Sequence, residues 1–172
     1  MKLTKRGEYA LRSLIALGVA QAMGRGTVRF AEVAAAEAIP ESFLRWVLVD
    51  LDRAGFVEGG RGAAGDYRLG RPAGHIVVGD VVRLVDRPDA ATGGSRVAGL
   101  ADDGLGLLVR HVSGAVSGVL DKFTLADLVS VTVYHLRARG ADAEHYLAGA
   151  VPEAARWPHL SIREEFLDGA GI

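Results

Sequence analysis

The chain has 172 residues, 49% of them apolar and 6% aromatic, with a formal charge of −1 and no cysteine. The missing thiols exclude disulfides, thiol redox sensing, zinc–thiolate sites and ordinary iron–sulfur ligation. No apolar run approaches the roughly 18 residues of a membrane span, and the charged, glycine-containing opening MKLTKRGEYAL is no secretory signal, so a cytoplasmic location is expected.

Taken in order, Thr4 is placed to cap a first helix that runs to about Met23, with Gly24-Arg25-Gly26 closing it. Leu11, Leu14, Ile15, Gly18 and Ala22 make one apolar stripe, and Ala10, Leu17 and Gln21 widen it. A helix apolar over more than one face is buried on two sides. One side is expected to meet the neighbouring domain and the other a partner subunit. A second helix, rich in small residues, spans Phe30 to about Ala38 and breaks at Ile39-Pro40. Pro40 suits the first turn of a third helix that runs to about Arg53, where Gly55 supplies a left-handed stop. Leu44, Val47, Leu48 and Leu51 form its core face, while Ser42, Arg45, Trp46 and Val49 point elsewhere. Outward, Trp46 can meet thymine methyls or sugar edges; otherwise it closes the core at the helix edge. Two short extended segments, Phe56–Glu58 and Asp66–Leu69, flank the glycine-rich tip GGRGAAGD with its single Arg61. Helix, turn, helix and basic-tipped hairpin make a winged helix-turn-helix, whose second helix enters a DNA major groove.

Arg71-Pro72-Ala73-Gly74 reads as a turn, and His75 to Asp86 as a strand-like entry followed by a helix from about Val78. Arg87 to Ala98 lacks periodicity and reads as loop. A long helix should follow from about Ala101 to Lys122, with Leu105, Leu108, Val112, Val116, Val119 and Phe123 in one stripe. Gly114 and Gly118 each cost about 1 kcal/mol inside a helix; four apart, they are expected at a point where another helix crosses. Thr124 with Asp127 resembles a capping box and starts a helix that Gly140 ends. Shorter helical pieces are expected over about Asp142–Ala148, Pro152–Arg156 and Ser161–Leu167. The fold class is therefore mainly α with a small β-hairpin wing: a winged helix-turn-helix over residues 1–75, then linker, sensor-type loop and dimerisation helices over 76–140, and a helical tail over 141–172.

Charge follows the same division. Residues 1–75 hold 11 Lys/Arg against 8 Asp/Glu, and residues 76–172 hold 9 against 13. The helix-turn-helix half is the basic half, the polarity expected of an electrostatic footprint on DNA. Enzyme chemistry has no foothold: there is no phosphate-binding G-x-x-x-x-G-K-[ST], the glycine-rich tip lies in a hairpin, and Asp102-Asp103 reads as a helix cap. The five histidines show no H-x-x-H or H-x-x-x-H spacing, so neither a metal site nor a cofactor is expected.

The opening MKLTKRGEYAL, the run IPESFLRWVLVDLDRAGFV, the wing RGAAGDYRLGRP, the following IVVGDVVRLVD and the later TLADLV together resemble the Rrf2 (Rrf-two) family of bacterial transcription regulators, over about residues 1–136. The resemblance implies a homodimer built on the long helix through Leu108, Val112, Gly114, Val116, Gly118 and Val119, with two winged domains reading a palindrome. It implies DNA contacts from Ser42, Phe43, Arg45 and Trp46 on the recognition helix, Arg61 and Tyr67 on the wing, and Thr4, Lys5 and Tyr9 near phosphates. Three departures stand out. Gly65-Asp66-Tyr67 is less basic than the usual wing, and Arg45-Trp46 replaces a commoner acidic or glutamine pair. The third is the sensor: cluster-binding members carry three cysteines before the long helix, and Arg87 to Gly104 has none. Glu8 falls where some members use a first-helix carboxylate as a ligand, but it reads as structural here, and His111 does not align with the family's ligand histidine.

The expected function is a dimeric, sequence-specific DNA-binding repressor answering to a small ligand or protein partner in place of a cluster. The alternative is a winged-helix protein–protein interaction module that no longer binds DNA, a reading kept by Asp66 in the wing and the slightly acidic chain.

Overall fold

Helix α1 (Lys5–Ala22) is the pillar against which the other elements lean, in a computed structural model that describes residues 3–59, 65–86 and 111–149. Around it stand α2 (Phe30–Glu37), α3 (Glu41–Arg53), α4 (Val78–Val85), α6 (Leu125–Ala138) and α7 (Ala143–Leu147). A further helix, α5, is described through residues 111–120. Strands β1 (Val28–Arg29), β2 (Val57–Gly59) and β3 (Asp66–Leu69) form one antiparallel sheet in the order β1-β3-β2. The fold is mainly α with a small sheet, the class the residue pattern implies.

Thr4 caps α1 as expected: its hydroxyl oxygen accepts from the Gly7 N–H at 3.0 Å, which satisfies one of the orphan donors at a helix start. The wide apolar stripe is real, since Ala10, Leu14, Ala16, Val19 and Ala20 are fully buried. Its second side, however, is not left for a partner subunit. Helix α6 of the same chain fills it. Gly18 makes that approach possible, because a Cβ there would lie 2.5 Å from Val129 Cγ2. Gln21 and Ala22, read as part of the stripe, are exposed at the helix end.

Helix α2 stops at Glu37 because Ala38 turns left-handed, with φ 51° and ψ 42°. That conformation costs an alanine roughly 1–2 kcal/mol. It is held by the Ile39 N–H donating to the Ala34 carbonyl at 3.0 Å and by burial of the Ile39 side chain. Pro40 is the N-cap of α3, one position ahead of the first turn, and its carbonyl accepts from the Phe43 and Leu44 N–H groups, both at 3.0 Å. Gly55, at φ 71°, ends α3 as expected. Arg71 completes the stop: its side chain donates to the Gly55 carbonyl at 3.0 Å and to that of Ala54 at 2.7 Å, with the guanidinium 4.6 Å from the Phe56 ring centre.

In the sheet, Val57 pairs with Leu69 and Gly59 with Tyr67, and on the other edge Val28 pairs with Tyr67. The hairpin is where the sequence places it; β1 was not anticipated, since two residues ahead of a helix carry no readable alternation. The strand-like entry to α4 is reduced to a three-residue 3₁₀ turn, Ala73–His75, and a single bridge between Val77 and Thr124. Thr124 and Asp127 form the expected cap, the Thr124 N–H and hydroxyl donating to Asp127 Oδ2 at 2.7 and 2.8 Å. Asp142 caps α7 by accepting the His145 N–H at 2.8 Å. The expected helices at 152–156 and 161–167, the loop at 87–98 and the start of the long helix lie outside the described residues. One apolar core joins α1, the helix-turn-helix, the sheet, α4, α6 and α7, from Leu14 and Phe30 to Val81, Leu125, Tyr146 and Leu147.

Candidate nucleic-acid interface

Helix α3 divides cleanly. Leu44, Val47, Leu48 and Leu51 are buried, as their spacing demands, and Ser42, Phe43, Arg45, Trp46 and Val49 face solvent. Trp46 is 72% exposed and Phe43 57%, so Trp46 does not close the core. Phe43 is held by Tyr9 of α1, their ring centres 5.9 Å apart and tilted by 56°. Lys5 stands beside them, its Nζ 5.8 Å from the Tyr9 ring centre and 3.0 Å from Glu8 Oε2. Glu8 Oε1 lies 3.1 Å from Arg12 Nη2, so Glu8 organises two cations on α1. Arg6 of α1 pairs with Asp50 of α3. The start of α1 and the outer face of α3 are thereby joined into one surface carrying Lys5, Tyr9, Phe43 and Trp46. Arg45 leans inward at rest, its guanidinium 5.6 Å from the Phe30 ring centre; such cation–π contacts are worth about 0.5–1 kcal/mol at exposed sites, little enough for a guanine edge or phosphate to displace.

The remaining expected contacts are placed less simply. The Thr4 hydroxyl is engaged twice, as the cap of α1 and as a donor to the Asp86 carboxylate at the end of α4. Tyr67 is 8% exposed. It lies under β2, where a Cβ on Gly59 would meet it at 2.2 Å, and tilts against Phe30 at 6.4 Å. Burial, aided by the Asp52 carboxylate and opposed by Arg45, pushes the Tyr67 phenol above its ordinary range. Tyr67 is therefore part of the wing's base, because alternation along β3 turns Tyr67 and Leu69 inward and Asp66 and Arg68 outward. Arg68 pairs across the hairpin with Glu58 at 2.6 Å. Arg61 falls outside the described residues.

Of the expected dimer residues, Val112, Gly114, Gly118 and Val119 are exposed on α5 and Val116 is half-buried. A Cβ at Gly114 or Gly118 would meet none of the described residues within 4 Å. Leu108 lies outside the described residues. Two residues that position the interface escaped the sequence reading, Arg6 and Arg71. Each acts on a residue far along the chain, so no local spacing announces it.

Residues 3–131 match the model of Rrf2, described as an iron-dependent transcriptional regulator. The chain belongs to the Rrf2 family. It is 41% identical over 86 residues to the IscR transcriptional regulator of Cereibacter sphaeroides, covering 50% of this chain and 56% of that relative. It is 34% identical over 133 residues to IscR of Cronobacter sakazakii, covering 76% of this chain and 81% of the relative. The oxidized form of Staphylococcus aureus CymR is similar in structure, with a TM-score of 0.56 and 29% identity over 75% of this chain and 96% of that one. This Rrf2 protein is a DNA-binding transcriptional regulator and not an enzyme. Among the described residues the iron in the family's description finds no matching donor set. The sequence holds no thiolate for a cluster, and among the described residues no three His, Asp or Glu side chains gather as a metal site. Hard oxygen donors are poor replacements for thiolate on a cluster. Among the described residues no helix is long and apolar enough to cross a membrane.

Proposed function

We propose that this Rrf2 protein is a cytoplasmic homodimer that represses transcription by occupying a palindromic operator, and that its signal is a small ligand or protein partner. The observation that carries this reading is the outer face of α3, where Ser42, Phe43, Arg45 and Trp46 stand in solvent over a fully buried core face. The exposed stripe of α5, with Val112 and Val119 uncovered, supports the dimer. The donor chemistry supports a signal other than a cluster. In this reading Arg45 hydrogen-bonds guanine through two parallel bonds, Lys5 and Tyr9 approach phosphates, and Arg61 enters a minor groove or meets a phosphate.

The test is genome-wide mapping of bound sites, followed by titration of variants on the mapped operator and a scrambled duplex at several salt concentrations. Arg45→Ala should cost about 1–3 kcal/mol on the operator alone and relax preference at one position per half-site. Arg61→Ala should weaken binding to both duplexes and reduce the salt slope by about one, and Lys5→Ala should do the same more mildly. Equal loss on both duplexes would demote Arg45 to a phosphate contact. If none of the three variants alters binding, the interface is elsewhere and the protein-interaction module replaces this reading.

A further inference from the structure

The outward face of α3 is unusual in its chemistry. Phe43, Trp46 and Val49 recur every third residue and are all exposed, making an apolar stripe along a helix built to enter a polar groove. Phe43 is braced by Tyr9, and Val49 is only 40% exposed, whereas Trp46 stands 72% clear. An indole is among the largest apolar surfaces a residue can carry, and keeping it in water forgoes the stabilisation that burial would bring. That stabilisation is recovered only if a binding partner covers the ring. The major groove offers hydrogen-bond donors and acceptors on every base, which an indole face cannot satisfy, and one apolar group, the C5-methyl of thymine.

Resting on the DNA-binding reading above, we propose that Trp46 is a specificity-determining residue that packs on a thymine methyl in each half-site. The operator then carries thymine at one position per half-site for a reason independent of any hydrogen bond, while Arg45 selects its own base through polar contacts. Phe43, fixed against Tyr9, serves as the wall beside the methyl.

The experiment replaces each thymine of the mapped half-site by deoxyuridine, which removes the methyl and nothing else, and titrates wild type, Trp46→Ala and Trp46→Phe. One position should lose about fourfold in wild-type affinity, the equivalent of one buried methyl at about 0.8 kcal/mol. Trp46→Ala should weaken binding to the thymine duplex by a larger factor and should no longer distinguish deoxyuridine from thymine at that position; Trp46→Phe should keep part of the discrimination. Melting of Trp46→Ala should match wild type, because the side chain is outside the core. Wild-type indifference to every deoxyuridine overturns the proposal, and so do additive losses from deoxyuridine and Trp46→Ala, which would place Trp46 on a sugar or on a protein partner. A wild-type protein with no sequence preference overturns the DNA-reading proposal itself and is recognisable before any deoxyuridine is tested.

Discussion

Helices α1 and α5 look alike in sequence, each a glycine-bearing helix with an apolar stripe, and they end in opposite environments. In α1 the stripe is covered on every side by its own chain, and Gly18 is the point where α6 comes close enough to touch Val129. In α5 Val112 and Val119 stay in solvent, and no described residue lies over Gly114 or Gly118. A glycine in a helix is a cost until another helix uses the space. In α1 the chain itself uses it; in α5 no described residue does. A two-sided stripe does not count subunits, because the second face can be filled from within.

The largest effect is expected from adding the same side chain at the three glycines of the two helices. Gly18→Leu should destabilise the fold by about 1–3 kcal/mol through overpacking against Val129, read as a lower denaturation midpoint. A Gly18→Leu protein as stable as wild type would mean that α6 does not pack there. Gly114→Leu and Gly118→Leu should leave the isolated chain as stable or up to about 1 kcal/mol more stable, since a good helix former replaces glycine. Their effect should appear in sedimentation, as a dimer that dissociates at higher protein concentration. Unchanged sedimentation of both variants would remove the crossing point from α5.

A smaller effect is expected from how α1 is tied to the helix-turn-helix. Arg25, just past the end of α1, donates to both oxygens of Glu32 at 2.8 and 2.9 Å. Burial raises the Glu32 carboxyl, but the Arg29 N–H and the Arg25 and Arg29 guanidinium groups outweigh it and hold the carboxyl below its ordinary value of 4.5. A depressed carboxylate contributes stability that is present above its unfolded value and lost as pH falls through the folded one. Stability should therefore fall on acidification below about pH 4.5, and Glu32→Gln should shrink that part of the pH dependence. An identical acid profile in Glu32→Gln would show that the pair contributes nothing. The tie at the foot of α5, Arg83 to Asp121 at 2.7 Å, is more exposed and should be the weaker of the two.

Much of the candidate interface was legible before the fold. Leu44, Val47, Leu48 and Leu51 announce a buried face by spacing alone, so the opposite face, with Ser42 and Arg45, is exposed by exclusion. Trp46 could not be assigned on those grounds, because a residue at the edge of a stripe can turn either way; in the fold it stands clear of the core. Tyr67 shows the reverse case. Two positions along a strand differ in facing, and which of them is inward depends on what the sheet packs against.

By itself the sequence determined what acts over a few residues: the caps at Thr4 and Thr124, the stop at Gly55, the core face of α3, the hairpin, and the absence of thiolate donors. These follow from local backbone preference, helical period and composition, none of which needs a distant partner. Tertiary structure alone decided that α6 occupies the second face of α1, that β1 joins the sheet, that Tyr67 lies under Gly59, and that Arg6 and Arg71 hold α3 in place. Each of these joins residues far apart in the chain, where the deciding quantity is how closely two surfaces can approach, and that is not written in any one of them.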